Sequence, residues 1–427
     1  MTWRIHHGHA LEQLAAMPDA SVQMCATSPP YWGLRDYGDK GQPWPSVSYS
    51  PMPGLPPLTI PASTEPLGLE ADPWAYVGHL VAIFREVRRV LRDDGVLFLN
   101  LGDSYAGTSQ TGGLDVSGLL GYGNSGTRSP VDTHAPKRQT PPALKPKDLV
   151  GIPWRAAYAL QADGWYLRSD VIWAKPNPMP ESVRDRPTKA HEYVFLLSKG
   201  PMYFWDQEAV REGGPWKPGG YAGNPARAIA MGRKPSGNEA PGAKPEGSEA
   251  GRNLRTVWTI ATQPYPGAHF AVWPSALAER CIRAGSSPHG ACSECGAPWV
   301  RQCERVSTGK RYSVGKSLEK NKAGLATGFS GYDDGSSCPE FRTTGWAPSC
   351  THDAARRPCV VLDPFSGAGT TGLVAARLGR DYIGIEQSAE YARLSRQRIV
   401  SELGADRETL ERLGEDIASG AQVGLFG

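Results

Sequence analysis

Hydrophobic and polar positions in the first hundred residues predict two helices and two buried strands. The segment LEQLAAM has helical spacing, and the apolar run VQMCAT ends where the prolines of SPPYWGL prevent a strand from continuing. A second, amphipathic helix is indicated by apolar residues at helical spacing, Leu80, Ile83, Phe84, Val87 and Leu91. The strand VLFLNL follows Gly95, and the Pro-rich residues 39–73 lack periodicity, so we expect a loop or lid there.

The rest of the chain alternates between the same two periodicities. LVGIPWRAAYAL and WPSALAERCIRAG predict helices, whereas YLRSDVIW, HEYVFLLS, YFWD and TVWTIAT predict strands. The block CVVLDPFSGAGTTGLVAARLGRDYIGIEQ predicts a strand, a glycine-rich turn, a helix and another strand. Residues 103–147 and 211–255 are glycine-rich and predict no regular element. The alternation of strands and helices is typical of an α/β protein.

Composition adds limits on class and location. With 427 residues, 50 Gly and 38 Pro, the chain is long enough for two or three domains and should contain long irregular segments. Its net charge of +3 is too small to identify a nucleic-acid-binding protein by charge alone. The sequence MTWRIHHGHALEQL has no apolar signal segment, and no stretch approaches the roughly 20 apolar residues that cross a bilayer. We therefore expect a cytoplasmic protein with no membrane partner.

A glycine-rich loop follows the strand VVL and opens the helix TGLVAARL. Gly367 and Gly369 would let a ligand approach the backbone at the helix N-terminus, and Glu386, which ends the next strand, could accept from ribose hydroxyls. A dinucleotide site is one interpretation of this pattern. However, Asp363 and Pro364 separate the strand from the first glycine, whereas a turn that grips a pyrophosphate usually begins where the strand ends.

The second candidate loop, with the sequence TSPPYW, follows the strand VQMCA. Because proline has no N–H, Pro29 and Pro30 leave rigid carbonyl acceptors. An exocyclic amine of a nucleobase is a poor nucleophile, since its lone pair is conjugated with the ring. Acceptors that draw the N–H hydrogens into a tetrahedral arrangement would restore that lone pair, and Tyr31 offers a face on which an extruded base could stack.

Together, the motifs DPFSGAGTT and SPPY resemble those of the DNA amino-methyltransferase family, whose members methylate cytosine N4 or adenine N6. The catalytic loop precedes the cofactor loop, an order that resembles the family's permuted β subgroup. The resemblance implies a Rossmann-like class I S-adenosylmethionine-dependent methyltransferase fold with a circularly permuted motif order, acting on double-stranded DNA. It implies that the catalytic residues are Ser28, Pro29, Pro30 and Tyr31.

The same resemblance implies further site residues. WAKPNPMPESVRDRPTKAHEYVFLLSKG resembles the family segment that borders the base pocket, and HFAVWPSALAERCI resembles its other cofactor motif. His9 stands where the family usually has an acidic residue that contacts the adenosine. The implied base-pocket residues are Trp32, Trp173, Lys175 and Asn177. The implied cofactor-binding residues are Asp363, Phe365, Gly367, Gly369, Thr370, Glu386, Phe270, Pro274 and His9.

Seven of the eight cysteines lie between residues 281 and 359. In a cytoplasmic protein such clustering indicates metal binding sooner than disulfides. The spacing of a zinc knuckle is shared by four residues, Cys292, Cys295, Cys350 and His352. We expect one structural zinc there, although Cys303 or Cys338 could replace the histidine. A catalytic zinc is not expected, because methyl transfer needs no metal-activated water and the H-x-E signature of zinc deaminases is not matched.

These features predict one permuted catalytic domain with two additions. Residues 1–204 form its catalytic half, residues 259–290 and 354–427 its cofactor half, residues 205–258 an irregular target-recognition region, and residues 291–353 a zinc-knuckle insertion. The favoured substrate is cytosine N4, reached by base flipping. Ser28 stands where the family's adenine enzymes more often have Asp or Asn, and its hydroxyl can donate as well as accept.

Three alternatives remain open at this point: the same reaction on adenine N6, a non-catalytic zinc-containing DNA-binding protein, and an NAD-dependent enzyme. The second predicts damage to the cofactor loop or the catalytic loop, whereas both motifs are intact. The third leaves the SPPY loop without a role. A cognate restriction endonuclease is a candidate partner of the favoured methyltransferase.

Overall fold

The computed structural model describes residues 2–33, 41–107, 141, 144–212, 252–263, 273–306 and 340–403. The chain divides into two units, and the larger consists of Met1–Asp206, Thr256–Trp299 and Pro348–Gly427. The smaller unit consists of Gln207–Arg255 and Val300–Ala347.

Strands and helices are numbered in chain order within these residues. The strands are β1 (Trp3–His7), β2 (Val22–Thr27), β3 (Val47–Tyr49), β4 (Leu58–Ile60), β5 (Leu91–Leu101), β6 (Tyr166–Ala174), β7 (His191–Ser198), β8 (Val257–Thr259), β9 (Ala291–Cys292), β10 (Trp299–Val306), β11 (Glu340–Pro348), β12 (Arg356–Arg357), β13 (Val360–Asp363) and β14 (Asp381–Glu386). The helices are α1 (Ala10–Ala15), α2 (Pro73–Val90), α3 (Ile152–Ala162), α4 (Ser275–Gly285), α5 (Thr370–Arg377) and α6 (Ala389–Glu402). None of these described helices has the length and apolar character needed to cross a bilayer.

One mixed sheet of eight strands organises the larger unit, in the order β1-β14-β13-β2-β5-β7-β6-β8. The first five strands are parallel, and β7 is antiparallel to both of its neighbours. β8 is parallel to β6. All strands except β7 therefore end at the same edge of the sheet, where β7 begins, and we call this the carboxyl edge. In open α/β sheets, ligands bind outside that edge.

Helices cover both faces of this sheet. On one face, Cys25 and Leu97 belong to a buried cluster that includes residues of α2 and α3. Because side chains alternate along a strand, Met24 and Phe98 point to the opposite face. There Gly285 of α4 lies so close that an added Cβ would be 3.3 Å from the Met24 side chain and 3.1 Å from the Phe98 ring. All six residues of β2 (VQMCAT) are buried, because helices cover both faces of the strand.

The predicted helices are present, and local chemistry explains where two of them begin. The Asp72 carboxylate accepts a hydrogen bond from the Trp74 amide (2.9 Å) and so caps the N-terminus of α2. The Asp103 carboxylate accepts from the amides of Gly151 and Ile152 (both 3.0 Å) at the N-terminus of α3. In each case a carboxylate satisfies amides that have no partner inside the helix.

Residues 39–73 are not an irregular lid throughout, as the sequence suggested. β3 and β4 form an antiparallel hairpin that packs on α2. An added Cβ on Gly78 of α2 would lie 2.8 Å from the Ile60 side chain and 3.1 Å from the Tyr49 ring. The hairpin therefore depends on a glycine more than fifteen residues away in the sequence, so local composition could not predict it.

The prediction of a strand at YFWD is wrong. The amides of Phe204 and Asp206 donate to the carbonyls of Asp94 and Ala284 (both 2.9 Å), two separate partners that form no ladder. A 3₁₀ turn, Glu208–Val210, follows instead. Much of the predicted target-recognition region 205–258 lies outside the described residues, as does most of the glycine-rich segment 103–147.

Candidate active site

A hydrogen bond joins the two predicted loops at the carboxyl edge. The Thr27 hydroxyl, at the end of β2, donates to one oxygen of the Asp363 carboxylate (2.6 Å), at the end of β13. The Thr371 hydroxyl donates to the other oxygen (2.6 Å), and the Phe365 amide donates to the first (3.1 Å). Asp363 is only 2% exposed, and burial raises its pKa to about 6. This carboxylate holds the loops together in the interior of the protein.

The two loop glycines have different surroundings. At Gly367, whose φ is +51°, an added Cβ would have only the Phe365 carbonyl within 4 Å, at 3.9 Å, so this position faces open space. At Gly369, whose φ is +75°, an added Cβ would lie 2.8 Å from the Ser395 Cβ of α6. Gly369 therefore permits helix packing, whereas Gly367 leaves room that a ligand can occupy. Thr370 follows as the first residue of α5 and is buried.

Glu386 ends β14 beside the glycine-rich loop. One of its carboxylate oxygens accepts from the Gly367 amide (2.7 Å) and the other from the Ser388 amide (2.8 Å). These bonds fix the carboxylate at the carboxyl edge.

The remaining predicted cofactor-binding residues are His9, Pro274, Phe365 and Phe270. The His9 ring is 5% exposed and packs edge-to-face on Trp44, with ring centroids 4.5 Å apart, and burial lowers its pKa. Pro274 is buried immediately before α4. Phe365 is partly buried against the main core, and Phe270 lies outside the described residues.

The two proline carbonyls of the SPPY loop have different partners. The Pro30 carbonyl accepts a hydrogen bond from the buried Tyr76 hydroxyl (2.7 Å), so it is directed to the interior. Within the described residues the Pro29 carbonyl accepts no hydrogen bond. Of the two acceptors expected from the sequence, Pro29 is therefore the one without a protein partner among the described residues, although the residue itself is buried.

The Tyr31 hydroxyl lies in a polar cluster that the sequence analysis missed. It is 2.7 Å from a carboxylate oxygen of Glu192 and 2.9 Å from the amide oxygen of Asn100, and the Ser28 hydroxyl is 3.2 Å from the same amide oxygen. Burial, and then the charge of Glu192, raise the pKa of Tyr31 well above its usual value, so the hydroxyl stays protonated. The Tyr31 ring lies against Gly102, where an added Cβ would be 2.5 Å from it.

The four residues predicted to border the base pocket are mostly held by protein contacts. The Trp32 and Trp173 indoles are 5% and 4% exposed, and each donates to a backbone carbonyl at 2.8 Å. Lys175 pairs with Glu192, and its ammonium lies 4.4 Å from the centroid of the Trp173 ring. The Asn177 side chain accepts from the Thr262 amide (3.0 Å). These contacts fix the base of the loop that follows β6 at the carboxyl edge.

The predicted metal ligands are brought together near β9 and β12. The ligand atoms of this group all lie within 4.8 Å of one another, and its members are Cys292, Cys295, Cys350 and His352. Backbone hydrogen bonds, chiefly from Cys295, lower the pKa of Cys292 to about 7. Tetrahedral zinc with bonds of about 2.3 Å separates its sulfur ligands by roughly 3.8 Å, so the group has suitable dimensions.

The metal-ligand group is linked to the starts of two central strands. The Gln23 side chain, near the start of β2, donates to the Gly296 carbonyl (3.0 Å) and accepts from the Val360 amide (2.7 Å), the first residue of β13. Both contacts lie at the edge opposite the carboxyl edge. The group is therefore not part of the site formed by the two loops.

Comparisons with known proteins identify relatives of the chain. A family model described as DNA methylase matches residues 22–292 and 355–397, which contain both loops. The type II methyltransferase M.SmaI of Serratia marcescens is 35% identical, over 92% of this chain and 89% of its own. The type II methyltransferase M.Cfr9I of Citrobacter freundii is 34% identical, over 93% of this chain and 88% of its own. Among solved structures, the PvuII DNA methyltransferase, titled cytosine-N4-specific, is 16% identical with a TM-score of 0.47, over 99% of this chain and 94% of that one.

Proposed function

Because this chain belongs to the DNA methylase family, we propose that it is a site-specific DNA methyltransferase that transfers a methyl group from S-adenosylmethionine to N4 of cytosine. One observation carries the proposal: the 2.6 Å hydrogen bond between Thr27 and Asp363. It joins two motifs that are 336 residues apart in the sequence at one point on the carboxyl edge. A methyl donor held by one loop and an amine held by the other would meet there.

The glycine-rich loop fits S-adenosylmethionine, which supplies the methyl group as an electrophilic sulfonium compound. The open space at Gly367 admits a ligand close to the backbone, and Glu386, which ends β14 beside this loop, is the proposed partner of the ribose hydroxyls. β13, which carries this loop, lies inside the sheet between β14 and β2, although it is the thirteenth of the fourteen strands among the described residues. That position supports a permuted order of the motifs.

The SPPY loop supplies two acceptors for a target amine, the Ser28 hydroxyl oxygen and the Pro29 carbonyl. If each accepts one amine hydrogen, the nitrogen becomes tetrahedral and its lone pair is free to attack the methyl carbon. The nitrogen then forms the new bond, the electrons of the broken carbon–sulfur bond remain on sulfur, and one amine proton is released. No acceptor role is needed from Pro30, which Tyr76 already engages.

Reaching that position requires the target base to leave the helix. Extrusion costs a few kcal/mol, and stacking on an aromatic ring can return roughly 1 to 3 kcal/mol. Tyr31, which is partly buried, is the candidate for this contact. Tyr31→Ala should therefore reduce turnover on duplex DNA far more than it reduces the affinity for S-adenosylmethionine.

Cytosine N4 is favoured over adenine N6 because position 28 is Ser, whereas the family's adenine enzymes more often have Asp or Asn there. The sequence analysis also used the ability of the Ser28 hydroxyl to donate a hydrogen bond, and the hydrogen bonds in the structure do not support that argument. The Ser28 hydroxyl is within donating distance of Asn100 (3.2 Å) and Tyr31 (3.3 Å), so its proton is directed into the protein and the oxygen is left as an acceptor. Methylation of adenine N6 is the alternative.

The zinc knuckle is proposed to be structural. Its four candidate ligands form a group of suitable dimensions, and Gln23 connects the adjoining turn to β2 and β13 at the edge opposite the reaction site. We further propose that the basic segments 211–255 and 301–345 contact DNA phosphates, and that a cognate restriction endonuclease recognises the same DNA sequence. Both relatives described above are type II methyltransferases, which supports this last proposal.

Transfer of a labelled methyl group from S-adenosylmethionine to duplex DNA tests the proposed activity. Purified protein should label DNA, and Ser28→Ala should label it more slowly while retaining its thermal stability, because a half-buried loop hydroxyl contributes little to packing. Ser46→Ala, which removes a loop hydroxyl that donates to the Ile60 carbonyl (3.0 Å), is a matched control and should label DNA normally. Absence of labelling by the unaltered protein on DNA of varied sequence would refute the proposal.

A further inference from the structure

A continuous set of hydrogen bonds runs from the SPPY loop to the start of β7. Ser28 contacts Asn100 (3.2 Å) and Tyr31 (3.3 Å), and Tyr31 contacts Glu192 (2.7 Å). The Asn100 side chain is fully buried at the end of β5. The cluster therefore links the ends of β2 and β5 to the start of β7 at the carboxyl edge.

The direction of each hydrogen bond in this cluster follows from the chemistry of its members. A carboxylate paired with Lys175 can only accept, so the single proton of Tyr31 is directed to Glu192. The Asn100 amide nitrogen donates to the Tyr193 carbonyl (3.0 Å), which turns its oxygen toward Ser28. The two possible partners of Ser28 are the Asn100 oxygen and the Tyr31 oxygen. Toward Ser28 each of them can act only as an acceptor, so the Ser28 proton is donated to one or the other.

We propose that Glu192 is a positioning residue that fixes these proton directions, so that Ser28 presents its oxygen to the target amine as an acceptor. The inference rests on the proposed function of the SPPY loop. Glu192 accepts from the Tyr31 hydroxyl (2.7 Å) and from the Asn100 amide nitrogen (3.2 Å), so it acts through these two residues and makes no contact with the base in this scheme. The ring of Tyr31 and its hydroxyl thus have separate tasks, the ring facing an extruded base and the hydroxyl orienting the loop.

This arrangement also locates the negative charge of the site. Ser28 is neutral, and the carboxylate of Glu192 lies one hydrogen bond farther from the amine, balanced by Lys175. Partial charge reaches the Ser28 oxygen through oriented hydroxyl groups, because hydrogen bonds in a chain polarise one another. The amine therefore has an anionic group nearby, even though the first residue of the loop is neutral.

The test uses the full-length protein and four variants. Glu192→Gln keeps the size of the side chain but adds donors that can reverse the Tyr31 bond, and Tyr31→Phe removes the same bond while keeping the ring. Each should slow single-turnover methyl transfer by about tenfold or more, with S-adenosylmethionine affinity within about twofold of the unaltered protein. The slowing in the double variant should be smaller than the product of the two single effects, because both single variants remove the bond between Tyr31 and Glu192.

Glu279→Gln is the matched control, since it removes a carboxylate from an exposed ion pair on α4 and should transfer methyl groups at the normal rate. Three results overturn the inference: an unaltered rate in Glu192→Gln, slowing in the double variant equal to the product of the single effects, or an unaltered rate in Tyr31→Phe. If Glu192→Gln does not fold, the rate of Tyr31→Phe alone decides. Failure of the unaltered protein to methylate DNA would instead refute the proposed function.

Discussion

Gly367 and Gly369 are two residues apart and are required for different physical reasons. Gly369→Ala would place a methyl group 2.8 Å from the Ser395 Cβ, and its φ of +75° is unfavourable for alanine. We expect this substitution to lower the free energy of unfolding by about 2 to 4 kcal/mol, measured by chemical denaturation. A stability equal to that of the unaltered protein would contradict the packing role.

Gly367→Ala should act mainly on ligand binding. An added methyl there meets no protein atom closer than 3.9 Å, so the loss of stability should be only about 1 kcal/mol, from the positive φ. The methyl would occupy the open space proposed for S-adenosylmethionine, and calorimetric titration should give an affinity at least about tenfold weaker. Normal affinity would mean that the cofactor does not approach the backbone at this position.

Individual site residues were predictable from the sequence where a motif contains them. Asn100, near the end of β5, and Glu192, near the start of β7, were not, because the sequence does not reveal that both reach Tyr31. The different roles of Pro29 and Pro30 were equally hidden, because they depend on the distant Tyr76 hydroxyl. The only local signal was a polar side chain in the otherwise apolar segment VLFLNL.

At the scale of single elements, Asp363 at the end of β13 predicts a pH-dependent stability. Its pKa is raised from 3.8 to about 6, so the folded protein binds this proton more tightly than the unfolded chain does. The contribution to stability is therefore largest below about pH 4 and is lost as the pH rises to about 6. Relative to the unaltered protein, Asp363→Asn should gain about 2 to 3 kcal/mol between pH 4 and pH 7, measured by denaturation. A difference that does not change with pH would contradict the buried carboxylate.

The turn between β9 and β10 and the segment between β11 and β12 predict a zinc content of one ion per chain. Elemental analysis should find that zinc is lost in Cys292→Ser and His352→Ala, and the melting temperature should fall by roughly 5 °C or more. Cys303→Ser, which alters an exposed cysteine that is not in the ligand group, should retain the zinc. Purified unaltered protein without zinc would contradict the prediction.

Elements with strong periodicity, such as α2 and β13, were predictable, whereas β1 and the β3–β4 hairpin were not. β1 has only the five residues WRIHH and pairs with β14, more than 370 residues away. The hairpin consists of three-residue strands that depend on Gly78 of α2. Short elements of this kind are determined by tertiary contacts, which local patterns do not contain.

At the scale of the whole molecule, the α/β class follows from the alternation of periodicities, whereas the position of β13 between β14 and β2 does not. The order of the sheet depends on which strands pair, and the sequence suggested that order only through the resemblance of its two motifs. The sequence identifies the segments proposed to contact DNA only by their basic composition. Residues 211–255 contain eight Lys or Arg and four Glu, and residues 301–345 contain eight Lys or Arg and five acidic residues.

These two segments predict salt-dependent binding to DNA. Because phosphate contacts release counterions, affinity for duplex DNA should fall at least about tenfold between roughly 50 and 200 mM salt. Titration at several salt concentrations measures the slope, and the affinity for S-adenosylmethionine is the internal comparison. A DNA affinity that does not vary with salt would contradict phosphate contacts by these segments.

The most direct test of the central claim is the identity of the methylated nucleoside. Duplex DNA incubated with the purified protein and S-adenosylmethionine is digested to nucleosides, which mass spectrometry then separates and identifies. The proposed function predicts N4-methylcytosine, in amounts that fall in the Ser28→Ala variant. N6-methyladenine without N4-methylcytosine would contradict the assignment of the base, and the absence of both would contradict methyl transfer to a DNA amine.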